Sequence, residues 1–136
     1  MTTLLAHIEI KPGREAQFED IMKDMVQKTL SEEDGVLRYE YFKGQQDNFY
    51  YCLLAFKDKW AFYAHQNSPY HEGHDFGAVL QSIRLEYLDP VQGACPLPET
   101  LDPPIDSDTP SDMVEASKKY PLSIACLLYT SDAATI

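Results

Sequence analysis

The first ninety residues predict an α+β fold. Strand-period and helix-period patterns follow one another along them in the order β-α-β-β-α-β, and sharp turn signals separate the patterns. Fourteen of the sixteen Phe, Tyr and Trp residues precede Asp89, so the core has to be built from that part. At 136 residues the chain has room for one such domain and an appendage, and too little for two separate cores.

Each element has its own signal. Residues 2–10 alternate, with Leu4, Ala6, Ile8 and Ile10 on one face and Leu5, His7 and Glu9 on the other, which is the period of a strand. Lys11-Pro12-Gly13 breaks it. From Arg14, an apolar stripe of Phe18, Ile21, Met22, Met25, Val26 and Leu30 predicts a helix to about Glu33, stopped by Asp34-Gly35. Residues 36–42 and 48–56 are rich in Tyr, Leu and Val, and the polar segment between them makes an antiparallel hairpin. The second of these strands is almost continuously apolar, as expected when both sheet faces are covered. Asp58 can cap a short helix carrying Trp60, Phe62, Tyr63 and His65, and Ser68-Pro69 can open another over about 70–80. Residues 82–88 alternate again as a last strand, ended by Asp89-Pro90.

This order is the split βαβ arrangement of a ferredoxin-like sandwich. A domain of this size buries only about 60–65% of its surface alone. A second copy is therefore expected to cover the remaining sheet face, giving a homodimer.

A formal net charge of -11 and the lack of any Lys/Arg cluster exclude nucleic acid and disfavour an anionic membrane surface. No stretch reaches the roughly 18 apolar residues that span a bilayer, and a signal-peptide pattern is missing, so a cytoplasmic location is the expectation. Cys52, Cys95 and Cys126 are odd in number and far apart, which suggests neither a disulfide framework nor a zinc site.

Residues 91–125 read as an acidic tail. Six prolines between Asp89 and Pro110 and no apolar periodicity predict a disordered linker, or a strap over a neighbour. A short helix over 113–120 would have only a narrow apolar face. The final stretch, 126–136, resembles a translated sequencing-library adapter and is set aside from functional argument.

Three landmarks carry a family resemblance. Lys11-Pro12-Gly13-Arg14 opens the long helix. Glu33-Asp34-Gly35-Val36-Leu37-Arg38-Tyr39-Glu40 is close to an acidic-Pro-Gly-x-x-x-Tyr turn, with Asp34 in place of proline. Ala64-His65-Gln66-Asn67-Ser68-Pro69-Tyr70-His71 is close to an Ala-His-x-x-Ser-Pro-His segment. Together, over residues 2–88, they resemble the antibiotic-biosynthesis-monooxygenase family. The resemblance implies a dimeric α+β barrel. Many relatives carry Glu and Trp at the end of the third strand, where this chain has Ala55 and Phe56. The heme-degrading branch has Asn on the first strand, where this chain offers His7, so heme is a minor alternative.

What the resemblance implies chemically is a monooxygenase that uses no metal, flavin or other cofactor, acting on a small quinol or polyphenol with molecular oxygen. The protein then supplies a dry pocket, a base and donors for the developing anion. Histidine suits the base because its ordinary pKa, about 6.5, lies near working pH. His65 matches the family segment and is the expected base or substrate partner; it could equally be a helix-terminal histidine bonded to backbone. His71 and Tyr70, in the same segment, are the other candidates for catalysis. His71 and His74 stand three apart, a spacing that suits a metal pair or two solvated surface histidines, and no metal is expected. Substrate contacts are expected from His7, Tyr51, Trp60 and Phe62. Tyr39, Tyr41, Tyr50 and Tyr63 can wall an aromatic site or fill the core and dimer interface. Whether the face of His7 lines the pocket or the dimer seam stays open. Two other functions fit the same residues: an isomerase or signal-degrading enzyme transferring protons without oxygen, and a non-catalytic binder of small aromatics.

Overall fold

The computed structural model describes residues 1–122. Strand β1 (Thr2–Ile10) leads into helix α1 (Glu15–Glu32), and a hairpin follows of β2 (Val36–Lys43) and β3 (Phe49–Phe56). Helices α2 (Lys59–Gln66) and α3 (Pro69–Glu72), a 3-10 turn (Phe76–Ala78) and strand β4 (Leu80–Leu88) complete the domain, and α4 (Ser111–Lys119) comes from the tail. The sheet is antiparallel with strand order β2-β3-β1-β4. Two β-α-β units thus interleave, which is the ferredoxin-like α+β fold the sequence predicts.

Alternation decides which face the helices cover. Leu4, Ala6, Ile8 and Ile10 of β1 are buried with Tyr50, Cys52 and Leu54 of β3, and Phe18, Met22 and Met25 of α1 pack on them. Phe56, Phe62 and Tyr63 are at most 1% exposed. Rings buried to this degree each contribute about 1.5–3 kcal/mol of transfer free energy. On the other face, Phe42 and Tyr51 are paired in register and remain half-exposed.

Helix starts follow local chemistry. The Asp58 carboxylate accepts the Ala61 N–H at 2.8 Å, and the Ser68 hydroxyl accepts the His71 N–H ahead of Pro69. Gly35 matters for a different reason. A Cβ there would lie 2.7 Å from the Ala61 Cβ, and the Gly35 carbonyl accepts the Lys57 N–H at 2.8 Å. Glycine lets the turn after α1 press directly against α2.

Three expectations are corrected. The helix expected over 70–80 is a single turn, because it ends at Gly73 and the Asp75 side chain then caps the 3-10 turn by accepting the Ala78 N–H. Strand β4 therefore starts at Leu80, paired with Ile10. Leu30, expected on the buried stripe of α1, is 56% exposed, and Thr29 takes the inward position.

The tail up to Leu122 lies on the domain, where its composition predicts a disordered linker or a strap over a neighbour. Thr100 donates to the Leu88 carbonyl, the Leu101 N–H donates to the Met1 carbonyl, and Lys59 of α2 pairs with Asp102. Helix α4 buries Ala116 and packs against α2, and the Tyr87 hydroxyl donates to the Tyr120 carbonyl. A few anchoring contacts offset the entropy of a segment that has no apolar period of its own. The adapter-like stretch 126–136 falls outside the described residues.

Candidate functional site

The site forms where the end of α1, the end of α2 and the start of α3 meet under the sheet. His65 lies in the last turn of α2 and is 1% exposed. Its Nδ1 is 3.0 Å from a carboxylate oxygen of Glu33, the residue that closes α1, and 3.5 Å from the Thr29 hydroxyl. The Tyr70 hydroxyl donates to the same Glu33 oxygen. Burial first, and then that carboxylate bond, push the Tyr70 phenol up to about 12. Below, the Ser68 hydroxyl donates to the His65 carbonyl at 2.7 Å. Rings of Tyr39, Phe56 and His71 surround the imidazole with centroids 5.0, 5.5 and 5.5 Å away.

His65 stands on the wall of a cavity of about 200 Å³ between the helices and the inner sheet face. The wall is largely apolar, from residues such as Ala6, Ile8, Met25, Leu54 and Phe62, and besides His65 its polar members are His71, Gln66, Tyr39, Tyr41, Tyr120 and Cys52. The Tyr39 and Tyr41 hydroxyls are bonded at 2.9 Å. Both phenols are raised above their ordinary range, chiefly by burial, and stay protonated at neutral pH. Burial likewise pushes the Cys52 thiol up to about 12, so it sits in the wall as a thiol rather than a nucleophilic thiolate. A wider groove of about 560 Å³, between α1 and β2, shares Phe18, Met22, Tyr39 and Tyr41 with this cavity.

The structure brings together some of the residues singled out from sequence and separates others. His65, His71 and Phe62 line the cavity, and Tyr70 reaches it through Glu33. His7 and Tyr51 do not, because they lie on the opposite sheet face, their rings 5.6 Å apart, with His7 Nε2 2.9 Å from Glu86. Trp60 faces away from the cavity as well, toward Pro103, Pro104 and Met113 of the tail. His74 is 2.9 Å from Asp24 rather than paired with His71, and no metal-like group of three His, Cys, Asp or Glu is found among the described residues. Glu33 and Thr29 are additions. The acidic position in the turn motif was the signal for Glu33; Thr29 left none.

A split-βαβ sandwich in which a buried imidazole, bonded to a partly exposed carboxylate, faces a mostly apolar cavity defines an α+β domain with a candidate small-ligand site. The family model described as "Antibiotic biosynthesis monooxygenase" matches residues 1–74, more than half of the chain, and the chain belongs to that family. Solved structures agree on the fold. A Pseudomonas aeruginosa protein is 24% identical with a TM-score of 0.61, over 66% of this chain and 93% of its own. A Bacteroides thetaiotaomicron protein assigned to the antibiotic biosynthesis monooxygenases is 20% identical with a TM-score of 0.64, over 71% and 94%. A Mycobacterium tuberculosis protein is 18% identical with a TM-score of 0.62, over 69% and 98%. No curated protein sequence matches the chain. Among the described residues no helix is long and apolar enough to cross a membrane.

Proposed function

We propose that this chain is a cofactor-independent monooxygenase acting on a small quinol or polyphenol, with His65 as the base, and that it works as a homodimer. The observation that carries the reading is the contact of Glu33 with the buried His65, which stands on the wall of the cavity. With the Nδ1–H donated to Glu33, the lone pair on Nε2 is the one available to a substrate, and the carboxylate stabilises the imidazolium that forms. Tyr70, donating to the same oxygen, holds Glu33 in position.

The reaction balances without a cofactor. His65 takes a phenolic proton, and the electron-rich anion reduces dioxygen. One oxygen atom joins the ring and the other leaves as water, so that quinol plus dioxygen gives hydroxyquinone plus water, all four electrons coming from the substrate. The bonded Tyr39–Tyr41 pair has one proton beyond its own hydrogen bond to offer the anion. The apolar wall keeps water from competing.

The test is oxygen uptake by the full chain with a panel of quinols. Uptake that falls at least about a hundredfold in His65→Ala supports the reading. Product formed at the same rate without oxygen would replace it with the proton-transfer isomerase, and ligand binding with no product with the aromatic binder.

A further inference from the structure

The cavity is not closed by the family-matched part of the chain alone. Its wall includes Tyr120, far beyond residues 1–74. The solved relatives are matched over 93–98% of their own length by 66–71% of this chain, which leaves about a third of it outside the comparison. Tyr120 ends α4, and its ring meets Phe62 edge-on with centroids 5.6 Å apart, one turn of α2 before His65.

The segment carrying Tyr120 is anchored at several points. The Tyr87 hydroxyl donates to the Tyr120 carbonyl at 3.0 Å, and the Tyr63 hydroxyl lies 3.5 Å from the same oxygen. Upstream, the ammonium of Lys59, whose side chain is 5% exposed, pairs with Asp102. Thr100 and Leu101 bond to the ends of β4 and β1. The contacts from Tyr87 and Tyr63 use the backbone carbonyl of Tyr120 and leave its ring as cavity wall.

We propose that Tyr120 is a specificity-determining residue: its ring closes the Phe62 end of the cavity and limits the ligand to one or two fused aromatic rings. The inference rests on reading the cavity as the ligand site. Size supports it, since the cavity holds about 200 Å³ and an engineered apolar cavity of about 150 Å³ takes benzene. A ring system extended past Phe62 meets Tyr120. The tail is thus part of the substrate pocket.

The experiment is a fluorescence titration of the full chain with phenol, 1-naphthol and 9-phenanthrol, comparing wild type with Tyr120→Ala, Tyr120→Leu and Tyr120→Phe. Thermal melts establish that each variant is folded, and Tyr120→Leu serves if the alanine variant is not. Wild type is expected to bind 1-naphthol at least about tenfold tighter than 9-phenanthrol, with that preference lost in Tyr120→Ala or Tyr120→Leu and kept in Tyr120→Phe. Unchanged preference in folded variants that still bind 1-naphthol overturns the inference and leaves the cavity reading intact. Failure of wild type and variants alike to bind any of the three phenols overturns the cavity reading, and this inference with it.

Discussion

Glu33 and His65 stand on different helices, thirty-two positions apart, yet a carboxylate oxygen of one lies 3.0 Å from Nδ1 of the other. Gly35 makes this possible, because its missing Cβ lets the turn after α1 approach α2 at Ala61. The carboxylate then selects which imidazole nitrogen carries the proton.

Glu33→Ala should lower kcat with quinol by about a hundredfold while leaving KM within a few-fold, because the cavity wall keeps its shape and only the base loses its orientation. Glu33→Gln, which can still accept the Nδ1–H but carries no charge, should fall between. Steady-state oxygen uptake measures both; equal KM and kcat effects in the alanine variant would point to a disrupted pocket instead.

The Lys59–Asp102 pair should respond unequally to removal of its members. Asp102→Ala leaves a nearly buried ammonium without its carboxylate and should cost about 1–3 kcal/mol in urea unfolding. Lys59→Met removes the charge, keeps an apolar stem of similar length and should cost less. The reverse order would show that the Lys59 stem, rather than the ion pair, holds the tail in place.

Acid should weaken the fold through carboxylates held below their ordinary range. The Tyr50 hydroxyl donates to Glu19 at 2.6 Å and is the main cause that lowers the Glu19 carboxyl, with Lys43 adding to it and burial opposing. A carboxyl whose pKa is lower folded than unfolded stabilises the fold fully above its ordinary value of 4.5, and this stability is lost as pH falls through the folded value. Tyr50→Phe should therefore cost about 0.5–1 kcal/mol at pH 7, with the gap from wild type closing at lower pH. Thermal melts across pH read the gap directly.

The uncovered sheet face should hold the proposed homodimer together. Phe42 and Tyr51 sit side by side there, 50% and 37% exposed. Charged replacements, Phe42→Glu with Tyr51→Lys on separate chains, should each give monomers in analytical ultracentrifugation, since each buries an unpaired charge in the interface. A wild-type monomer at micromolar concentration would remove the dimer from the proposed function.

The order of elements in the domain and the faces they bury follow from local sequence pattern. Periods of 2 and 3.6 are local properties, so Leu4, Ala6, Ile8, Phe18 and Met22 are legible as core before any fold is known. His65 was singled out through its motif, and it lies on the cavity wall. The rest depends on how distant elements pack against one another. Nothing local distinguishes His7 or Tyr51, on the outer sheet face, from residues that line the His65 cavity, and nothing in the spacing pairs Glu33 with His65 or puts Thr29 inward in place of Leu30. The tail shows the limit most clearly. Its prolines and acidic residues carry no period, and it is held by point contacts such as Lys59 to Asp102 and Tyr87 to the Tyr120 carbonyl. Such contacts depend on where distant elements end, and a sequence records that only through the packing of the whole chain.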